Sequence, residues 1–140
     1  MKIPVASRAH RILGHMKRYV SFNSEKTFRI YPLDLEKDEI PLGIYENIPN
    51  QIKENIIVTD KGLHYFNEDN HSEKVYYRDI LKNEFPEDKL TVEVLKIHLK
   101  NGKSIAIPIK RSSEDSRFSD VFGFMRFLNR VRSDLEPKRN

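Results

Sequence analysis

The spacing of apolar residues changes once along this chain, near residue 110, and this change limits the folds that the chain can adopt. Between residues 40 and 109, short apolar runs are interrupted by Gly, Pro, Asn and Asp, as in β-strands joined by tight turns. After Arg111, apolar residues recur at three- and four-residue spacing, as in an amphipathic helix. The chain is therefore predicted to be mainly β (α+β), with one helix after the strands.

The composition supports this prediction. Ile and Val number 14 and 8 and Phe and Tyr number 8 and 6, whereas there are only three Ala in 140 residues. β-branched and aromatic side chains favour pleated sheets, and Ala favours helices. A chain of this length usually forms one domain. Neither a helical bundle nor a second independent core is expected.

Seven strands are predicted between residues 40 and 109. They span about residues 40–47, 55–59, 63–66, 74–78, 80–85, 91–99 and 104–109, and a further edge strand is expected at 27–31. The clearest turn signals are Asn101-Gly102 and Gly62, which is expected to have a positive φ. In the strand at 91–99, Val94 is expected to point into the core and Leu95 to lie at a slip in the alternation.

The C-terminal helix is predicted over residues 116–134. Its core-capping side chains are expected to be Phe118, Phe122, Met125 and Leu128, which lie on one apolar stripe. This stripe is widened by Phe124, Phe127, Val131 and Leu135. A helix this apolar needs a hydrophobic surface to cover, and strands that close into a barrel leave an open end that it could fill. On this prediction, Phe122→Ala costs about 3–5 kcal/mol of stability.

Charge is distributed unevenly along the chain. Residues 1–20 have a net charge of +5, residues 21–116 of −4 and residues 117–140 of +3, although the whole chain has only +4. Basic ends around a mildly acidic middle are typical of contact with nucleic acid or an anionic membrane, or simply of solvated ends on a domain. Any function that depends on charge is therefore expected at the two ends.

The N-terminal segment, residues 1–38, is predicted to contain a helix over about 8–21 that Ser7 caps. Its basic residues are candidate binding residues for a partner or an anionic surface: Arg8, Arg11, His15, Lys17 and Arg18. The apolar face of such a helix can dock on its own domain, lie on an anionic membrane or bind a partner. Residues 135–140 are expected to form a flexible basic tail.

Few residues suggest catalysis or metal binding. The chain has no Cys, and its five Gly cannot form a P-loop, a dinucleotide-binding motif or a nucleophile elbow. Potential ligand residues cluster only at Glu68, Asp69, His71 and Glu73, without the spacing of a known metal site. His64 and His98 are expected to be outward-facing or satisfied core histidines. No enzyme activity, cofactor or metal is therefore expected.

The sequence contains no apolar run of the length of a signal peptide or a membrane-spanning helix. The lack of Cys agrees with a reducing compartment. The protein is therefore expected in the cytoplasm, either free or peripheral to the membrane.

The order of these elements resembles the pleckstrin-homology-like (PH-like) superfold, and the local sequence resembles small bacterial PH-like and GRAM-like domains over residues 39–134. The similar segments are the hairpins at 56–66 and 95–103, Val75-Tyr76-Tyr77-Arg78-Asp79-Ile80 and the Phe-rich helix. The resemblance implies a seven-stranded bent barrel capped by the C-terminal helix. Members that bind phosphoinositides use several Lys and Arg around the first hairpin, but the corresponding loop here, 45–54, has only Lys53.

The resemblance implies a non-catalytic binding module whose partner is a protein, bound beside the C-terminal helix or by strand addition. The alternative is attachment to anionic membrane lipids through the basic N-terminal helix. Nucleic acid is not expected as a partner, because the aromatic residues near Arg126, Arg130 and Arg132 have the spacing of a helix core. The oligomeric state is left open.

Overall fold

The computed structural model describes residues 4–22, 35–48, 54–67, 72–84, 94–110 and 120–135. The helices are α1 (Val5–Ile12) and α2 (Asp120–Leu135), and a 3₁₀ turn spans Tyr77–Asp79. The strands are β1 (Tyr19–Ser21), β2 (Pro41–Tyr45), β3 (Ile56–Thr59), β4 (Gly62–Phe66), β5 (Ser72–Tyr76), β6 (Ile80–Asn83), β7 (Val94–Leu99) and β8 (Ser104–Pro108). The predicted edge strand at 27–31, Lys53, Phe118 and residues 136–140 of the predicted tail lie outside the described residues.

The strands form two antiparallel sheets, one of five strands in the order β1-β2-β3-β4-β5 and one of three in the order β6-β7-β8. No ladder joins the two sheets in the described chain, so the prediction of a closed barrel is wrong. The 3₁₀ turn, with Tyr77 buried, leads the chain from β5 into β6. β8 ends at Pro108, which has no N–H to donate to another strand, and the Pro108 carbonyl accepts a hydrogen bond of 2.7 Å from Asn47 Nδ2.

The core contains residues of both sheets and both helices. On β7 the side chains alternate regularly, with Leu95 and Ile97 fully buried and Val94 40% exposed. The predicted slip, with Val94 in the core, is therefore wrong. The ladder between β7 and β8 continues without a shift from Val94 to His98, which keeps the alternation intact.

Both predicted hairpins form, but their glycines serve different purposes. Gly102 has a φ of 91°, which closes the turn between β7 and β8 and is a conformation that L side chains rarely adopt. Gly62 does not have the predicted positive φ. It is the first residue of β4, where a Cβ would lie 2.4 Å from the carbonyl oxygen of Val75. The close approach of β5, and not the turn, therefore requires glycine at position 62.

Aromatic contacts hold α2 in place. Phe124 packs edge to face on Tyr45 of β2, with 5.1 Å between ring centroids, and Phe127 packs in the same way on Tyr77 at 5.7 Å. Both phenylalanines are fully buried. These contacts join the helix to the five-stranded sheet and to the turn between the two sheets.

The observed core face of α2 is centred differently from the predicted stripe. Met125 and Leu128 are buried, but Phe122 is only half-buried. The helix turns Phe124 and Phe127 toward the sheets instead, which leaves Phe122 at the margin of the contact. Leu135 still belongs to α2, so the predicted tail does not begin there.

α1 is shorter than predicted. It starts after Pro4 instead of Ser7 and ends at Ile12 instead of near residue 21. Gly14 lies two residues after this end and is a poor helix former. Tyr19–Ser21 form β1, which pairs with β2 from Tyr45 to Gly43. Tyr and Val fit both a helical face and a strand, and here the ladder with β2 decides between them.

Candidate functional site

The apolar side of α1 and of the turn after it packs on the domain. Ala9 and Leu13 are buried in the main core, and Ile12 packs against it. Met16 lies so close to α2 that a Cβ at Gly123 would be 2.1 Å from its terminal methyl group. The apolar face of α1 therefore docks on its own domain.

Basic side chains from the two ends of the chain meet at the junction of α1 and α2. A groove of about 480 Å³ lies there, and we call it the basic groove. Its lining residues are Arg8, Arg11, Ile12, His15, Gly123, Arg126 and Arg130. Arg8, Arg11 and Ile12 lie at three- and four-residue spacing on one side of α1, as do Gly123, Arg126 and Arg130 on α2, and His15 follows in the turn after α1. The basic ends seen in the sequence thus form one surface.

Two contacts show that the N-terminal segment runs antiparallel to α2 along the groove. Arg8 contacts Asp134, and Met16 lies against Gly123. Residues that rise in number from 8 to 16 therefore face residues that fall in number from 134 to 123. Arg11 and His15, and Arg126 and Arg130 opposite them, lie between these two contacts.

Arg8 is held in place by an ion pair. Its Nε and Nη2 donate to the two carboxylate oxygens of Asp134 over 3.0 and 3.2 Å. Only 18% of the Arg8 side chain and 21% of the Asp134 side chain are exposed. This paired geometry is the strongest that guanidinium and carboxylate groups form. The pair lies at the Arg8 end of the basic groove.

The other basic residues of the groove have no such partner among the residues that the structure describes. Arg11, His15, Arg126 and Arg130 are exposed. Within the described part of the chain, the structure shows no ion pair or hydrogen bond for these four side chains. Arg126 and Arg130 are also one helical turn apart, where two like charges destabilise a helix by roughly 0.2–0.5 kcal/mol. The groove therefore concentrates positive charge that the described part of the fold does not neutralise.

Two of the predicted binding residues do not line the groove. The Arg18 Nη1 donates to the carbonyl oxygens of Glu46 and Asn47 at 3.3 Å each, beyond the end of β2. Lys17 is exposed outside the lining. Of the five candidates, the structure brings together Arg8, Arg11 and His15.

Arg126 and Arg130 were not among the binding residues predicted from the sequence. The signal that could have found them is their spacing with Gly123 on the side of α2 opposite the buried phenylalanines. Together with the +3 charge of residues 117–140, this spacing indicates a basic helix face.

A second group of polar side chains is buried beside β3 and β4, and we call Glu39, Thr59 and His64 the Glu39 cluster. Thr59 Oγ1 donates to Glu39 Oε2 over 2.6 Å, and His64 Nε2 lies 2.7 Å from the same oxygen. The backbone N–H of Glu36 donates to Glu39 Oε1 over 2.9 Å. The side chains of Glu39 and His64 are fully buried. His64 is thus a core residue.

These contacts change the acidity of Glu39. Burial by itself would raise the pKa of this carboxyl, but the hydrogen bonds from Thr59, His64 and the Glu36 N–H outweigh it and lower the pKa. The charged carboxylate therefore fits its surroundings. Because the pair is closed to solvent, the cluster links the segment before β2 to the hairpin of β3 and β4 and does not form an open site.

Within the described residues, no group of three or more His, Cys, Asp or Glu is placed to hold a metal ion. Glu68, Asp69 and His71 lie outside those residues. Neither α1 nor α2 combines the length and apolar character that crossing a membrane requires. No protein-family model matches the chain, and no curated protein or solved structure matches it.

Proposed function

We propose that this chain is a non-catalytic binding module of PH-like architecture that binds an acidic segment of a partner protein in the basic groove. The order of elements supports the architecture, because antiparallel strands β2 to β8 precede a C-terminal helix whose apolar face covers them. The basic groove is not part of the PH-like order of elements, because α1, which precedes the strands, supplies half of the groove.

The observation that carries the proposal is positive charge in the groove that no described residue compensates. Arg8 pairs with Asp134, but the other basic lining residues, Arg11, His15, Arg126 and Arg130, have no ion pair within the described part of the chain. Structural cations are usually paired when they gather, so a cluster left open indicates a ligand of opposite charge. Carboxylates suit this lining, because a guanidinium group binds both of their oxygens.

The packing of α1 favours a protein segment over a membrane. A helix that lies on a membrane inserts its apolar face between the lipids. Here Ala9 and Leu13 on that face are buried in the domain. Arg8 and Arg18, which the membrane hypothesis requires, already bind Asp134 and two backbone carbonyls. A concave groove can also receive a protruding side chain, whereas a flat lipid surface cannot enter it.

The test is binding of a fluorescein-labelled hexaglutamate peptide, followed by fluorescence anisotropy at low salt. The wild-type protein should bind, and the double variant Arg126→Glu/Arg130→Glu should lose at least about tenfold in affinity, because two favourable charges become repulsive. The matched control is Lys100→Glu/Lys103→Glu at the exposed turn between β7 and β8, which changes the net charge equally. It should bind within about twofold of wild type.

The control decides whether the effect is local. Equal losses in the two double variants would show that net charge alone attracts the peptide, and the proposed site would be wrong. Co-sedimentation with phosphatidylserine vesicles examines the membrane alternative. If wild type binds the vesicles but not the peptide, the partner is a lipid surface and the proposal of a protein segment fails.

A further inference from the structure

We infer that the basic groove takes the phosphate group of a phosphorylated protein segment, an inference that rests on the proposed function and makes its ligand specific. A phosphate monoester carries a charge of about −1.5 to −2 at pH 7 and offers three strong acceptor oxygens. A carboxylate carries one charge and two oxygens. Phosphate is favoured by the choice of arginine, by the Arg8–Asp134 pair and by the position of Asp134 on α2.

The first argument is the choice of arginine. Lysine is the more frequent basic residue of the chain, with 14 Lys against 11 Arg. Apart from His15, the basic residues that line the groove are nevertheless all arginine, four in number. The planar guanidinium group holds two oxygens of one anion at a time, whereas the lysine ammonium group acts as a point charge. A surface that needed only positive charge would not require this selection.

The second argument comes from the Arg8–Asp134 pair. This pair shows what one carboxylate does in this groove, since it occupies the fork of one arginine. Arg11, Arg126 and Arg130 have no partner among the described residues, and together they carry more charge than a second carboxylate can neutralise. A phosphate group can accept hydrogen bonds from two or three guanidinium groups at once. Its charge and its oxygens therefore match the three remaining arginines.

The third argument is the position of Asp134. It lies eight residues from Arg126 on α2, which is about 12 Å along the helix axis. That distance exceeds the Debye length of about 8 Å at physiological salt, so the carboxylate repels an anion at Arg126 only weakly. The phosphate group is therefore placed toward the Arg126 end of the groove. His15 lies at this end as well, because the N-terminal segment runs antiparallel to α2. Asp134 limits how far an anion can move toward Arg8.

The experiment compares three labelled peptides that differ at one central position of a Gly/Ser sequence. They carry phosphoserine, glutamate or serine there. Wild type should bind the phosphoserine peptide at least about tenfold more tightly than the glutamate peptide, and the serine peptide should not bind. Arg126→Lys keeps the charge but removes the fork, so it should lose about tenfold toward phosphoserine and less, about threefold, toward hexaglutamate, whose several carboxylates can still pair with the other arginines. Arg132→Lys, on the same helix outside the groove, should match wild type.

Each outcome bears on one of the two proposals. Equal binding of the phosphoserine and glutamate peptides would overturn the phosphate inference, while the proposed function would stand if hexaglutamate binding still depended on Arg126 and Arg130. Failure of wild type to bind any of the anionic peptides would overturn both. Binding to phosphatidic acid vesicles without binding to the phosphoserine peptide would assign the phosphate to a lipid and overturn the inference. Thermal unfolding of each variant confirms that it is folded.

Discussion

The basic groove and the Glu39 cluster use charged side chains in opposite ways. In the cluster, the Glu39 carboxylate is fully buried and accepts hydrogen bonds from three groups. In the groove, Arg11, Arg126 and Arg130 are exposed, and the structure shows no partner for them within the described ranges. Both regions join segments distant in sequence, residues 39 and 64 in one and residues 8 and 134 in the other.

The difference distinguishes charge that stabilises the fold from charge that serves a ligand. A buried charge is tolerated only when hydrogen bonds replace its lost water, so the cluster must be complete in order to form. An exposed cluster of like charges lowers stability slightly and gains its value when an anion binds. We therefore expect substitutions in the cluster to change stability and substitutions in the groove to change binding.

The largest expected effect tests whether the apolar face of α2, and not the groove, holds this helix. Phe127→Ala should lower the free energy of unfolding by about 3–5 kcal/mol, because it leaves a cavity beside Tyr77. Phe122→Ala, at a half-buried position of the same helix, should cost clearly less. Urea unfolding followed by circular dichroism measures both. A larger loss for Phe122 would contradict the observed orientation of α2.

The next effect concerns the Glu39 cluster directly. Glu39→Ala should destabilise the fold by about 3 kcal/mol, because it leaves the buried His64 and Thr59 side chains without their shared acceptor. Arg130→Ala in the groove should change the free energy of unfolding by no more than about 0.5 kcal/mol. Similar losses from the two substitutions would erase the distinction between the two regions.

Local signals predicted much of the fold, and long-range pairing explains the errors. The strand positions between β2 and β8 follow from alternation and turn residues that are visible within a few residues of each other. That the two sheets do not close into a barrel depends on where β5 and β8 lie in space, and no pattern within a few residues of sequence encodes this. At β1, Tyr19 and Val20 fit the spacing of a helix and that of a strand equally well. Only pairing with β2 makes this segment a strand.

Half of the basic groove could be predicted and half could not. Arg8, Arg11 and His15 stand out in a segment without acidic residues. Arg126 and Arg130 lie among core phenylalanines, so the sequence alone does not distinguish them from an ordinary solvated helix face. Only the antiparallel packing of α1 on α2 brings them together. The Glu39 cluster was missed for a similar reason, because its members are up to 25 residues apart.

Acid should weaken the Glu39 cluster, because the cluster is stabilised by the charged form of Glu39. The pKa of Glu39 is lower in the folded protein than its ordinary value of 4.5, so this carboxylate contributes stability above that pH. The contribution should be lost as the pH falls below 4.5 and through the folded-state pKa. Urea unfolding between pH 7 and about pH 3 measures this loss. Glu39→Gln should show a shallower decline, and an unchanged decline would mean that other carboxylates cause it.

The smallest effect on stability is expected at the one place where the groove resembles the cluster, the Arg8–Asp134 pair. Asp134→Asn should cost only about 0.5–1 kcal/mol of stability, because both side chains retain contact with water. The same substitution frees the Arg8 fork and removes a negative charge, so binding of the hexaglutamate peptide should become tighter by about two- to fivefold. Unfolding and anisotropy measured on the same variant give both values. If Asp134→Asn instead costs about as much stability as Glu39→Ala and leaves binding unchanged, the pair is a structural element, and the groove would not be reserved for a ligand at this end.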